Sequence, residues 1–492
     1  MQINEYEKLD GMALAGLLEK REVTSGELMQ VAIETARERA PQLNCLTYEQ
    51  YEQSQAIADN WSARGVFRGI PFLLKDSGFA TRRFPSSIGS RLFNDTRYDF
   101  DATVALRFEA SGLIPFARTT VSELCMGPST EAVRNHGLTI NPWDSSRSVG
   151  GSSGGAASAV AARLVPVAHG SDGGGSIRIP AACCGVYGLK PSRGRVPMGP
   201  SRGEGWGGMA SDGVLSISVR DTAAAMDGIS GHEAGSPYAA PPQPRSFLAA
   251  VQEQAVRPLR IAVLREAWNG IAIAPECLAA AEHTAGLCRA LGHTVVDATL
   301  PAIDYEGFVR AHGRVLATNI TLAVDNKLAA SGRAPTADDL EPVLLDGYAL
   351  GKTLSAGQYA DSINRFHAIG RAFANTMNAL DCDVILTPTL TQLPAKQGYL
   401  ALDACGFWDF RARVSRYATF LAVINASGQP AASLPLSWTA DNVPVCSQLI
   451  GRFGEEDVLL ALSAQLERAE PWAHRIPDFT SVPTSASASV SV

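Results

Sequence analysis

Two serine clusters crowded with glycine hold most of the chemistry that can be read in this chain. Gly150–Gly155 reads GGSSGG, Gly173–Ser176 reads GGGS, and the two bracket an alanine-rich segment. Glycines on both sides of a serine let the backbone take positive φ and come close to a ligand. They also free backbone N–H groups to converge on one point, as an oxyanion hole requires. A tight turn explains such loops equally well, so they gain weight only from their company. That company is Lys75, a lone lysine in the apolar stretch FLLKDSG, Phe72 to Gly78. Lysine is rarely buried without a partner or a chemical task. The plain alternative is a side chain that snorkels to the surface.

The elements that must position these residues follow from pattern. Residues 1–64 read as helices: LDGMALAGLLEK and SGELMQVAIETARERA repeat apolar residues at three and four, with Ser25 as N-cap ahead of Glu27. GIPFLLKD is a short buried strand, and DATVALRFEASGLIPFARTTVSEL reads helix, glycine turn, strand. An alanine-rich helix is expected over 155–169, its N-terminal amides facing the first serine cluster. The run 234–246, AGSPYAAPPQPRS, reads as a surface linker. Beyond it RPLRIAVLRE, a helix over Pro275–Leu291 and HTVVDATLP make a β-α-β unit. Residues 302–380 are mostly helical, CDVILTPTL is a buried strand, and 455–470 is an amphipathic helix. The low-complexity end, 476–492, reads as a disordered tail.

Bulk properties narrow the class. With 492 residues, 46% hydrophobic and 18% charged, the chain buries a large core easily. A net charge of −7 leaves no basic footprint for nucleic acid or an anionic membrane. Nine cysteines without CxxC spacing fit a reducing compartment, and the adjacent Cys183 and Cys184 are expected to pack as small apolar residues. The start carries no basic-then-apolar leader, and no apolar run is long enough to span a membrane, so a cytoplasmic protein is expected. The eight histidines show no HExxH or clustered Cys/His spacing, so neither a metal nor another cofactor is expected.

Taken together and in order, the motifs resemble the amidase signature family. Its pattern of a strand lysine, GGSSGG, DxGGSIRxPA and GLKPS-x-GR is met here at Lys75, Gly150–Gly155, Asp172–Ala181 and Gly188–Arg195. TVSELCMG (Thr120–Gly127), NASGQPAASLP (Asn425–Pro435) and VPVCSQLIGR (Val443–Arg452) extend the match over nearly the whole chain. The SDGGGSIRIPA form resembles the branch that holds 6-aminohexanoate cyclic-dimer hydrolase and aryl acylamidases. The resemblance implies an α/β fold: one large mixed β-sheet flanked by helices, with helical N-terminal and cap segments. A single amidase domain over 1–475 follows, with N-terminal helices 1–64, a core over 65–233, the linker 234–246 and a capped C-terminal half over 247–475.

The resemblance also implies a serine amidohydrolase that works through an acyl-enzyme. Ser176 is then the nucleophile and Ser152, whose peptide bond is cis in the family, the bridging serine. Lys75 is the general base. The backbone N–H groups of Gly173, Gly174, Gly175 and Ser176 become oxyanion-hole candidates, and Ser153, Asp172 and Arg178 hold the loop. Lys75 can act as a base only when neutral, so burial must pull its pKa down from the ordinary ~10.4. On strand alternation Asp76 points to the opposite face.

Departures from the family pattern are Val149 before the first cluster, Gly173 in the second and Cys125 after SEL; each reshapes the pocket without removing a triad member. The pocket wall expected from sequence is Cys125, Met126, Trp206, Phe407 and Trp408, with Phe410 beside them. Arg202 and Arg411 lie near these in sequence, but no cationic cluster is expected to hold a substrate carboxylate. An apolar wall of this kind selects by shape and area. The expected substrates are therefore uncharged aryl, short aliphatic or cyclic amides, with esters and carbamates (urethanes) reacting as well. The expected partner is this small-molecule amide alone; a homodimer stays open. Two other readings remain at this stage. GGSSG fits the G-x-S-x-G nucleophile elbow of a serine esterase, though NPWDSSRSV before it is turn-like and not a strand. An amidotransferase subunit working with partner chains is the other.

Overall fold

A computed structural model describes every residue except 95, 254–255, 404 and 479–492. The expected disordered tail, 476–492, lies for the most part outside the described residues. Eight strands form one mixed sheet. Their order is Thr294–Asp297, Arg260–Val263, Val384–Pro388, Pro444–Gly451, Ala431–Trp438, Tyr187–Lys190, Ser211–Ser216 and Val167–Asp172. The first three run parallel, and every later neighbour pair is antiparallel. The β-α-β unit is closed by the helix Pro275–Ala290, which packs on Pro444–Gly451, Val384–Pro388 and Thr294–Asp297.

A second sheet has three strands, with Leu113–Thr119 between Leu46–Thr47 and Ile70–Lys75. Leu46–Thr47 is thus a short strand inside a region expected to be wholly helical. All six residues of Ile70–Lys75 are buried. Phe72, Leu73 and Leu74 each gain about 1.5–3 kcal/mol from full burial, which offsets drawing the lysine at the strand's end into the interior. Gly112 makes the turn into the partner strand at φ 90°, where a Cβ would sit 2.4 Å from the Arg64 carbonyl oxygen. The strand Val167–Asp172 packs against Ile70–Lys75 across the two sheets.

Two further local expectations change. The helix Ser25–Leu43 is capped by Thr24, not Ser25. Thr24 is extended and stands three residues before Glu27, the spacing at which hydroxyl and carboxylate satisfy each other's backbone N–H. The alanine-rich helix covers only Gly154–Ala161. Arg163 turns left-handed at φ 62°, and Pro166 can neither donate to a helix nor allow one before it, so the chain passes into the strand at Val167. Residues 234–246 hold no helix or strand and are mostly exposed.

Four helices, Tyr305–Leu328, Pro342–Gly351, Ala356–Ala379 and Phe407–Tyr417, pack on one another at one side of the large sheet. Helices Gly154–Ala161 and Arg178–Cys184, which follow the two serine clusters, are buried along their whole lengths. Cys183 and Cys184 have no exposed surface. All nine cysteines are free thiols. Among the described residues no helix is long and apolar enough to cross a membrane.

Candidate active site

The two serine clusters and the strand lysine converge although they lie far apart in sequence. Lys75 Nζ stands 2.9 Å from Ser152 Oγ, 2.9 Å from Ser171 Oγ and 3.2 Å from the Ser171 carbonyl. The lysine is fully buried and forms no ion pair among the described residues. Burial pulls its pKa below the ordinary lysine value, against the opposing charges of Cys125, Asp212 and Asp172. Asp76 does turn away: it accepts from Ser86 Oγ and Ser87 Oγ at 2.5 and 2.6 Å.

The backbone of the first cluster passes through a space that only glycine leaves open. A Cβ on Gly151 would meet the backbone of Ser129 at 2.4 Å, and the Gly151–Ser152 peptide bond is cis. Ser153 ties this turn to the strand beside it. Its Oγ donates to the Ser171 carbonyl at 3.3 Å and accepts from Ser171 N at 3.4 Å, and its own N–H donates to the Ser176 carbonyl at 3.2 Å.

The second cluster is held from below by a buried ion pair. Arg178 Nε and Nη2 donate to Asp172 at 2.9 and 3.0 Å, and both side chains are fully buried. Arg178 also donates to Gln448 and Asn425, and Asn425 Nδ2 donates to Asp172 at 2.8 Å. Burial alone would raise the Asp172 pKa; the charge and hydrogen bonds of Arg178, helped by Asn425, outweigh it and hold it well below the usual carboxylate range.

Asp172 decides which amides stay free. Gly175 N–H donates to Asp172 Oδ1 at 2.7 Å, so Gly175 is removed from the oxyanion candidates. Among the described residues the N–H groups of Gly173, Gly174 and Ser176 have no acceptor. A Cβ on Gly173 would lie 2.4 Å from the Trp206 ring, so this departure from the family pattern makes room for the indole.

Ser152 and Ser176 open on a hollow of about 350 Å³ whose wall includes Cys125, Met126, Met198, Trp206 and Ile320. Burial pushes the Cys125 thiol up, against the pull of Lys75 and Ser152. Phe407 and Trp408 do not line this hollow. Phe407 is buried one helical turn before Arg411, against Gly347 and Ile320. Trp408 faces another way, is 41% exposed and lines a separate surface groove with Asn269 and Arg416. Phe410 is core. The two arginines near these residues in sequence take separate places: Arg202 lines the hollow with Glu204 and Asp212, and Arg411 reaches a recess beyond Ser176.

Sequence reasoning missed three further residues. His169 Nδ1 accepts from the Lys75 backbone N–H at 3.3 Å, and its Nε2 lies 3.2 Å from Asp212 Oδ1. Ser171 is the third. His169 and Ser171 share a strand face two residues apart just before the second cluster, a signal that was available. Asp212 carried none. No group of three or more His, Cys, Asp or Glu is arranged to hold a metal among the described residues.

Known proteins resemble this chain over nearly its whole length. The family model described as Amidase matches residues 27–460. The chain is 34% identical over 480 residues to a 6-aminohexanoate-cyclic-dimer hydrolase of Paenarthrobacter ureafaciens, covering 95% of this chain and 96% of that protein. It superposes on a structure of 6-aminohexanoate cyclic dimer hydrolase complexed with substrate with a TM-score of 0.88 at 32% identity, over 96% of this chain and 99% of the other. A bacterial aryl acylamidase of the amidase signature family gives a TM-score of 0.84 at 25% identity, over 94% and 97%.

Proposed function

This chain belongs to the amidase signature family, and on that premise we propose that it hydrolyses amide C–N bonds through an acyl-enzyme built on Ser176, Ser152 and Lys75. One observation carries the reading: a fully buried lysine, paired with no carboxylate among the described residues, donates to a serine hydroxyl at 2.9 Å. A lysine so placed is driven towards the neutral form that a base requires.

Neutral Lys75 takes the proton of Ser152 Oγ while Ser152 takes that of Ser176 Oγ, and Ser176 Oγ bonds to the amide carbonyl carbon. The carbonyl oxygen gains the negative charge and faces the free N–H groups of Gly173, Gly174 and Ser176. Collapse breaks the C–N bond, and the proton returns through Ser152 to the departing nitrogen. Water then adds to the ester along the same proton route, the C–Oγ bond breaks, and the acid leaves. Asp172, Arg178 and Ser153 touch no reacting atom; they hold the two loops in register.

Aryl, short aliphatic and cyclic amides with an uncharged amine half fit the hollow, whose wall holds Met126, Met198, Trp206 and Ile320. The relative named for 6-aminohexanoate cyclic dimer supports the cyclic class. Activated esters and carbamates present the same carbonyl and are expected to react. A phosphonofluoridate serine reagent, followed by peptide mass mapping, tests the assignment. It should modify Ser176 and stop turnover of 4-nitroacetanilide. Modification of Ser152 in its place overturns the mechanism in favour of a nucleophile elbow.

A further inference from the structure

A buried guanidinium that meets no carboxylate among the described residues stands on the far side of Ser176. Ser176, Cys125, Met126 and Trp206 are shared between the wide hollow and a narrow recess of about 30 Å³. Two cap helices supply the far wall of that recess: His312 from Tyr305–Leu328 and Arg411 from Phe407–Tyr417. They are 3% and 5% exposed. Arg411 enters no ion pair among the described residues, and its Nε has no hydrogen-bond partner. Its Nη2 lies 3.0 Å from His312 Nδ1.

That single hydrogen bond decides the imidazole. A guanidinium only donates, so Nδ1 accepts and the ring proton sits on Nε2. Burial, with the charge of Arg411 second, holds the His312 pKa well below its ordinary value, so the ring stays neutral. The buried Nε2–H has no partner among the described residues, and Nε2 lies 3.8 Å from where a Cβ on Gly174 would sit. Two orphaned donors and one unanswered positive charge therefore meet at one recess beside the proposed oxyanion loop. Buried donors left unpaired are costly, and an acceptor carrying negative charge relieves both the donors and the cation.

The recess also has a side. Ser152, which returns the proton to the leaving nitrogen, lines the hollow and not the recess. The amine half thus lies in the hollow and the acyl half enters the recess. We propose that Arg411 and His312 form a carboxylate subsite for the acyl half, so that monoamides of short dicarboxylic acids are preferred over amides of methyl-ended acids of equal carbon number. The proposal rests on the acyl-transfer reading of Ser176 and narrows it.

The test is kcat/KM for the malonyl and succinyl mono-4-nitroanilides beside the propionyl and butyryl 4-nitroanilides. The wild-type chain should favour the carboxylate member of at least one pair by roughly tenfold or more. That ratio should fall towards one in Arg411→Met and be partly kept in Arg411→Lys. His312→Gln, which retains an N–H donor, should keep more of it than His312→Leu. Should Arg411→Met fail to fold, competitive inhibition of the wild type carries the test: malonate or succinate must bind more tightly than propionate and butyrate. Hydrolysis of the methyl-ended anilides with no carboxylate preference overturns the subsite alone. Failure to hydrolyse any of the four overturns the amidase mechanism beneath it.

Discussion

Arg178 and Lys75 are both fully buried basic side chains beside the same loops, yet their surroundings differ in kind. Arg178 meets a carboxylate through two nitrogens and also donates to Gln448, Asn425 and the Leu421 carbonyl. Among the described residues Lys75 Nζ meets only two hydroxyls and one carbonyl. A buried charge answered by an opposite charge is locked into its protonated form. One answered only by dipoles is driven towards neutrality by the cost of burial. The first serves as a brace; the second remains able to exchange a proton. Arg411 likewise meets no carboxylate among the described residues, but a guanidinium does not give up its proton as an amine does, so its burial is relieved by an anion instead.

The comparison breaks most visibly at Lys75. Lys75→Met should lower kcat/KM on 4-nitroacetanilide by about 10³-fold or more. Its effect on stability should run the other way. The folded pKa of Lys75 lies below the unfolded value of ~10.4, so between the two the unfolded chain binds the extra proton and stability rises with pH. Urea unfolding across neutral to alkaline pH should therefore show Lys75→Met at least as stable as wild type, with a shallower rise. In the wild type, activity should fall on the acid side as Lys75 takes up its proton. A Lys75→Met chain that keeps wild-type turnover removes the distinction altogether.

At Arg178 the balance reverses. Arg178→Met strands the buried Asp172 carboxylate and should lower unfolding free energy by about 3–5 kcal/mol. Arg178→Met combined with Asp172→Asn should recover part of the loss. Because Asp172 is held below its unfolded pKa, the pair stabilises the fold above about pH 4 and loses that contribution as pH falls through the depressed folded value. A loss under about 1 kcal/mol at neutral pH would show that this pair is no brace.

The smallest effect belongs to Trp408. Exposed and turned to a separate groove, it should tolerate Trp408→Ala with kcat/KM within about twofold of wild type. A tenfold loss would put it back in the substrate wall.

Much of the site was legible because its parts are carried by short contiguous motifs. Gly151 can be only glycine where the chain runs against Ser129, and a lysine ending a wholly apolar strand has no surface to reach. The sheet order was less so. The parallel unit around Pro275–Ala290 can be read locally, but the neighbours of Val167–Asp172 and Ala431–Trp438 depend on pairings between distant segments. The N-cap of the helix Ser25–Leu43 was misplaced by one residue, where only the backbone conformation separates Thr24 from Ser25.

What the sequence determined by itself is the family, and with it the order of Lys75, Ser152 and Ser176 along the chain, since each sits in a loop or strand end of fixed local chemistry. What only the tertiary structure decided is how those loops are used. Asp172 captures the Gly175 N–H and so thins the candidate oxyanion donors to three, a choice made by a carboxylate whose position Arg178, Asn425 and Gln448 set from both halves of the chain. Helix Phe407–Tyr417 presents Arg411 to the recess and sends Phe407 and Trp408 elsewhere. Helical periodicity tells which residues share a face, but only packing against the neighbouring helices tells which face looks at the proposed nucleophile.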